Sequence, residues 1–320
     1  MNKQISIAMC TYNGARFIKE QIDSIIVQTY HDFELIITDD GSIDDTIEII
    51  KEYQKKDERI KLYQNEKNLG FVKNFEKAIS LCNGEYIALA DQDDIWKKNK
   101  LEVFLSEIKE NVLIYSDAIL IDEHSNKIGK ELIRPVNHLV SGKCNKAFLL
   151  SNCVSGNTLM FKRELLEYIL PIPKNMSFHD IWIAFVASTY GTITYTEESM
   201  TYYRRYSEQV TKAREKDYKG FFDRLKIKEN IRIKDAKASE NDLKLFLSLD
   251  ILDDETRQII NILSEHFKNY QQIYFNYKLY KILNKYSDEI FAIYKKNKRA
   301  KRIRRTSIGL KLHKTTAFIL

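Results

Sequence analysis

Tyr86-Ile-Ala-Leu-Ala-Asp91-Gln92-Asp93-Asp94-Ile95-Trp96 runs from an apolar strand pattern straight into three carboxylates within four positions, and a tryptophan closes the stretch. A buried strand ordinarily ends in turn chemistry. Crowded carboxylates repel one another and are costly to desolvate. A cation must offset that repulsion, and a divalent metal holding a diphosphate is the leading candidate. A plain solvated acidic turn is the alternative.

The residues upstream repeat the arrangement. Ile5 to Cys10 reads as a short buried strand, Ala15 to about Gln28 as a helix with Phe17, Ile18, Ile22, Ile25 and Ile26 on one face. Phe33–Thr38, Ile60–Tyr63 and Tyr86–Ala90 are further strands, separated by helices over Asp44–Lys56 and Phe71–Cys82. Lys97–Glu110 is another helix, and Val112–Ile121 a strand. Such alternation predicts an α/β fold with a mostly parallel, doubly wound sheet flanked by helices. Ligands of these sheets bind beyond the carboxyl ends of the strands. Asp39-Asp40 and Asp91–Asp94 both fall there, which merges two acidic clusters into one candidate site.

Composition sets the outer limits. The 320 residues are 44% apolar and 12% aromatic, enough for a sizeable core and unlike a disordered chain. Four scattered cysteines without metal-ligand spacing fit reduced thiols and a cytosolic setting. The start reads as a strand with no signal peptide, and no stretch reaches the length of a membrane span. The net charge of +6 is uneven: residues 216–320 hold 24 Lys+Arg against 13 Asp+Glu. Beyond about residue 214 the pattern turns helical, with helices over 221–237, 243–252 and 254–282. Two domains are expected, 1–215 and a basic helical extension, 216–320.

Taken singly, the motifs are ambiguous. Cys10-Thr-Tyr12-Asn13-Gly14 can present a ring for base stacking or simply make an Asn-Gly turn. In Asp39-Asp40-Gly-Ser42-Ile-Asp44, Ser42 or Asp44 can cap the next helix. Together they are specific. Tyr12-Asn13, then Asp40-Gly-Ser-x-Asp44, then Asp91-x-Asp93-Asp94, each at a strand end, resemble the inverting GT-A glycosyltransferases of family 2. Asn68-Leu-Gly70, Gly84-Glu-Tyr-Ile87, Lys100-Leu-Glu102, Gly156-Asn-Thr158 and His179-Asp180-Ile-Trp182 extend the likeness over roughly residues 3–212. The Asp-Gln-Asp-Asp-Ile-Trp and His-Asp-x-Trp variants are most similar to the bacterial rhamnosyltransferase-like branch.

The resemblance implies roles. Tyr12 and Asp40 hold the nucleotide base, Asp91 contacts the ribose or braces the site, and Asp93 binds Mn²⁺ or Mg²⁺. Asp180 is the general base toward an acceptor hydroxyl, although it can also serve as a helix cap. Trp182 can be site wall or core. The branch often carries Tyr-Arg-x-His after its base; here Tyr203-Arg204-Arg205-Tyr206 puts Tyr206 in the histidine's place. Arg204 and Arg205 are then the residues to neutralise the diphosphate. The implied donor is a UDP- or dTDP-sugar, the acceptor a saccharide or polyprenyl-linked hydroxyl, and no Gln-x-x-Arg-Trp marks processivity. The alternatives are a sugar-phosphate nucleotidyltransferase, whose Gly-rich, Arg-bearing phosphate loop is missing at Cys10–Gly14, and a catalytically silent scaffold.

The tail, 295–314, carries ten Lys/Arg. It reads as a solvated charge run or, preferably, as an anionic-lipid contact that keeps a cytoplasmic protein at the inner face of a membrane. Nucleic acid is the weaker reading, because Tyr270, Tyr274, Phe275, Tyr277 and Tyr280 have the spacing of a helix packing stripe.

Overall fold

The computed structural model describes residues 4–134, 137–206 and 221–312. The chain divides into two compact units. The first comprises Met1–Asn145, Asn152–Lys174 and Phe178–Tyr206; the second comprises Lys146–Ser151, Asn175–Ser177 and Ser207–Leu320. The boundary expected at 215–216 lies outside the described residues.

In the first unit the strands are β1 (Ile5–Thr11), β2 (Phe33–Asp39), β3 (Ile60–Gln64), β4 (Tyr86–Asp91), β5 (Ile95–Trp96) and β6 (Leu113–Tyr115). There follow β7 (Ala118–Ile121), β8 (Lys127–Glu131), β9 (Leu159–Lys162), β10 (Ile193–Tyr195) and β11 (Thr201–Arg204). Its helices are α1 (Ile18–Ile26), α2 (Thr46–Gln54), α3 (Phe71–Ser80), α4 (Lys100–Ile108), α5 (Leu166–Ile169) and α6 (His179–Tyr190).

The main sheet has the order β10-β6-β9-β4-β1-β2-β3. Every pairing in it is parallel except those of β9, which runs antiparallel to both β4 and β6. Every residue of β1 and β2 is buried, as continuous apolar strands covered on both faces require. Ile5, Ile7 and Met9 pack with Phe33, Leu35 and Ile37, and Ile18, Ile22 and Ile25 of α1 lie against them. The chain winds outward from β1 in one direction through β2 and β3, then returns to β4 on the other side of β1. That reversal opens a crevice beyond the strand ends. Register aligns Cys10 with both Thr38 and Asp91, so the acidic ends of β2 and β4 flank the end of β1.

The strand expected over Val112–Ile121 is broken. β6 stays in the main sheet, whereas β7 joins a second sheet of order β5-β11-β7-β8. The break is at Ser116-Asp117, where the buried Asp117 carboxylate accepts from the N–H groups of Ala118, Ile133 and Arg134 at 2.8–2.9 Å. Those bonds redirect the backbone out of the first ladder.

The second unit contains α7 (Phe221–Phe246), α8 (Asp254–Lys268), α9 (Tyr277–Lys285), α10 (Ser287–Ile290) and α11 (Lys296–Ser307). Two helices expected over 221–252 are largely one, and the Glu240–Lys244 pair at 2.6 Å supports it. Conversely, the helix expected over 254–282 stops at Lys268. A fresh start follows, where the Asn276 side chain accepts from Leu279 N–H and caps α9. No helix among the described residues is long and apolar enough to cross a membrane.

Candidate active site

Two loops at the crevice are tied together by short polar side chains. Asp39 is fully buried; its carboxylate accepts from Gly41 N–H, Ser42 N–H, Ser42 Oγ and Thr11 Oγ1 at 2.5–3.1 Å. Asn13 N–H donates to Ser42 Oγ and Asn13 Oδ1 accepts from Ile43 N–H. Asp44 accepts from Thr46 and Ala15 N–H groups, so its charged form is held below the usual carboxylate range despite burial. These residues are scaffold. Asp40 is buried too, accepting from Leu69 N–H, Gly70 N–H and the Asn65 amide at 2.8–2.9 Å. Gly70 sits at φ +81, which a β-carbon would strain. With about four acceptor sites on a carboxylate, Asp40 has roughly one left for a ligand.

Tyr12 projects beyond this scaffold with its ring half exposed. Gln92 clamps its backbone from the β4 side: Tyr12 N–H donates to Gln92 Oε1 at 2.8 Å and Gln92 Nε2 to Tyr12 O at 3.1 Å. The clamp depends on Gly14, whose β-carbon would meet Gln92 Oε1 at 2.3 Å.

The carboxylates opposite divide into different tasks. Asp94 is buried and accepts from Asn157 Nδ2 and, at 2.9 Å, from Arg204 N–H. It ties β4, β11 and the turn at Gly156–Thr158 together and does not cap α4, whose N-cap is Asn99. Asp91 and Asp93 are half-buried at the crevice. Burial first, then the charges of Asp93 and Asp180, raise the Asp91 carboxyl to about 7. Asp93 Oδ2 accepts from Tyr206 Oη at 2.7 Å. Tyr206, standing where a histidine was expected, thus braces Asp93, and its ring packs 4.9 Å from Phe17.

Asp180 lies in the first turn of α6. Phe178 is the N-cap and no side chain caps the helix, so capping does not explain Asp180. Its carboxylate accepts from Asn152 Nδ2 at 3.1 Å and Ile181 N–H at 2.6 Å. Burial raises it to about 6, with the backbone N–H groups of Ile181 and Gly156 working against the rise. His179 beside it stacks 4.0 Å from Phe75. Burial pushes that imidazole down to about 3, keeping it neutral. The charge of Asp180 thus reaches Asp91, 89 positions earlier in the chain.

Two expected site residues are placed elsewhere. Arg204 is fully buried. Its Nε donates to Asp93 O at 2.7 Å, its other nitrogens to Ser125 Oγ and Glu20 Oε2 at 2.9 and 3.0 Å, and its guanidinium lies 4.4 Å from the Phe17 ring. A diphosphate cannot reach it; Arg204 is the post behind the acidic loop. Arg205, one residue beyond β11, is half-buried with its guanidinium 5.2 Å from Tyr203. Trp182 is buried and donates from its indole to Ile169 O at 2.9 Å; it anchors α6 on α5 and forms no wall. Arg204→Met is expected to lower stability by about 3 kcal/mol, the scale for removing one member of a buried ionic network. A urea midpoint equal to that of the unchanged chain would contradict this.

Sequence reading missed Lys100. It is fully buried, donates to Asn157 O at 2.7 Å and Thr201 Oγ1 at 3.1 Å, and lies 3.7 Å from the Trp96 ring. Burial pulls its ammonium well below the ordinary lysine value, while the charges of Asp94 and Asp91 act in the opposite sense. A buried lysine, bonded to a carbonyl and a hydroxyl, therefore stands near the acidic run. Its signal was present: Lys100 shares the apolar stripe of Phe104 and Ile108 at helical spacing.

Does the remaining chemistry suit a divalent ion? No group of three or more His, Cys, Asp or Glu able to hold a metal occurs among the described residues, so a resident all-protein site is not built. A single hard carboxylate such as Asp93 fits an ion that keeps water and phosphate as its other ligands. The repulsion recorded at Asp91 is what such a charge would relieve.

A mostly parallel sheet with carboxylates at its switch point places a ligand crevice beyond the strand ends. The model for glycosyl transferase family 2 matches residues 6–170. The chain belongs to that family, and its fold is the GT-A fold that the motifs implied. It is 28% identical over 218 residues to an uncharacterized glycosyltransferase of Haemophilus influenzae, covering 65% of this chain and 67% of that one. It is 37% identical over 112 residues to Bacillus subtilis TuaG, named for teichuronic acid biosynthesis as a glycosyltransferase, covering 35% and 44%. The chain thus spans about two thirds or less of these relatives. Among solved structures, Staphylococcus aureus TarS 1–349 in complex with UDP-GlcNAc superposes with TM-score 0.57 at 20% identity, covering 92% of this chain and 82% of that one. The mannosyltransferase PcManGT of Pyrobaculum calidifontis, in complex with GDP-Man and Mn²⁺, gives 0.55 at 16%, covering 83% and 70%.

Proposed function

We propose that this glycosyltransferase moves a sugar from a nucleoside-diphosphate donor, UDP- or dTDP-linked, to a saccharide or lipid-linked hydroxyl with inversion, in building bacterial surface polysaccharide. The observation that carries the reading is the placement of Asp39 and Asp40 at the end of β2 and of Asp91 and Asp93 at the end of β4, on either side of β1, with Asp180 near enough for its charge to act on Asp91. The kinship with TuaG supports the polysaccharide setting. The fold shared with proteins that hold UDP-GlcNAc and GDP-Man supports the donor class. We place the reaction on the cytoplasmic side, with a hexose or deoxyhexose as the sugar transferred.

Tyr12 stacks on the base, Asp40 uses its remaining acceptor site on a ring or ribose donor, and Asp91 faces the ribose. Asp93, braced by Tyr206 and by Arg204 behind it, would hold Mn²⁺ or Mg²⁺. Bound there, the ion would supply electrostatic stabilisation of the leaving nucleoside diphosphate. Arg205 is the remaining arginine for that leaving group. Asp180 takes the proton of the acceptor hydroxyl, which attacks the anomeric carbon opposite the nucleotide. One base suffices for a single displacement; a covalent intermediate needs a second carboxylate as nucleophile.

Only the carboxylate form of Asp180 accepts a proton. With its pKa raised to about 6, kcat/KM should rise tenfold per pH unit below that value and level off above it. A profile flat from about pH 5 to about pH 8 would remove Asp180 from the role. A screen of UDP- and dTDP-sugars, scored by nucleotide release with Mn²⁺, tests the function. Release from one or a few donors is expected. Pyrophosphate formation from a nucleoside triphosphate and a sugar phosphate would instead make the protein a nucleotidyltransferase.

A further inference from the structure

We infer that the second unit carries a docking surface for an anionic lipid bilayer, built from α9, α11 and the turn between α8 and α9. Residues 269–312 contain twelve Lys/Arg and two acidic residues, Asp288 and Glu289. Both acids are already in ion pairs, with Arg299 and Lys146. Helix α11 buries Ile303 and Ser307 and exposes Lys301, Arg302, Arg304 and Arg305. Around one narrow apolar seam, Lys301, Arg302, Arg304 and Arg305 thus form an exposed cationic face of α11.

The aromatic side chains supply the second half. The aromatic stripe expected to pack along a helix is split: Tyr270 is buried, whereas Tyr274 and Phe275 in the turn and Tyr277 at the start of α9 are 55%, 41% and 62% exposed. The backbone fastens this turn to the C-terminal end of α11. Asn276 N–H donates to Ser307 O at 2.8 Å and Gly309 N–H to Tyr274 O at 3.1 Å, and Phe275 bridges to Ile308. Exposed rings and exposed cations therefore share one rigid edge. Lys311 sits 5.3 Å from the Tyr274 ring and Lys281 4.7 Å from Tyr277. Tyr280 packs against both Phe275 and Tyr277. With ring faces taken by cations and by each other, the rings suit the headgroup interface, where an apolar body meets a polar tip. Base stacking needs open faces.

Cosedimentation of the full chain with phosphatidylcholine vesicles containing about one third phosphatidylglycerol tests this. Partition should exceed that on pure phosphatidylcholine at least ~100-fold and weaken steeply with salt. Replacing Lys301, Arg302, Arg304 and Arg305 by Gln should lower it at least ~100-fold, since each cation contributes about fivefold. Replacing the three arginines by Lys should leave it within ~3-fold, which guards against a folding defect. Tyr274→Ser with Phe275→Ser and Tyr277→Ser should weaken partition without changing its salt dependence. Equal partition on neutral vesicles, undiminished binding of the Gln variant, or displacement of vesicles by a single-stranded oligonucleotide would overturn the assignment.

Discussion

Asp180→Asn is expected to keep donor affinity within about twofold while turnover falls by about 10²–10⁴, the usual contribution of a positioned base. The substitution is nearly isosteric. The amide oxygen still accepts from Ile181 N–H and Asn152 Nδ2, so the first turn of α6 should stay in place. What disappears is the ability to take a proton. Removing a buried charge whose pKa burial already raises should also leave stability unchanged or improved. The pattern is therefore diagnostic: lower kcat, constant donor KM and a melting temperature that does not fall. Transfer at the original rate would show that the acceptor is activated elsewhere.

Asp93→Ala carries the second large effect. Its carboxylate accepts from Tyr206 Oη and its carbonyl from Arg204 Nε. The alanine variant retains the second bond and loses the first. The loop should keep its course while losing the oxygen that holds the ion. Donor affinity in Mn²⁺ is expected to fall to the value measured for the original chain in EDTA, with kcat/KM reduced at least ~10³-fold. Tyr206→Phe separates bracing from ligation: it removes the same hydrogen bond and spares the carboxylate. A large loss in the alanine variant and a small one in the phenylalanine variant place the ion on Asp93. Equal losses would make the tyrosine-bound arrangement the essential feature.

The framework was legible because it rests on local pattern. The continuous apolar runs of β1, β2 and β4 end where aspartates begin, and register then brings those ends together. Roles that depend on tertiary placement were not. Arg204 and Arg205 read as a pair, yet only the tertiary structure shows that Arg204, the last residue of β11, is buried while Arg205 beyond it is only half-buried. Lys100 was hidden for a related reason. A lysine in an apolar stripe is legible as an anomaly, but its partners Asn157 and Thr201 come from distant segments. The break at Asp117 and the turn at Tyr274–Asn276 are likewise set by tertiary bonds that periodicity does not register.

The acidic crevice as a donor site is tested most directly by calorimetric titration of the full chain with UDP and dTDP, first with Mn²⁺ and then with EDTA. Saturable one-to-one binding in Mn²⁺ that EDTA removes is the expected result. Heat-silent titrations with both nucleotides, or binding of equal strength in EDTA, would contradict it.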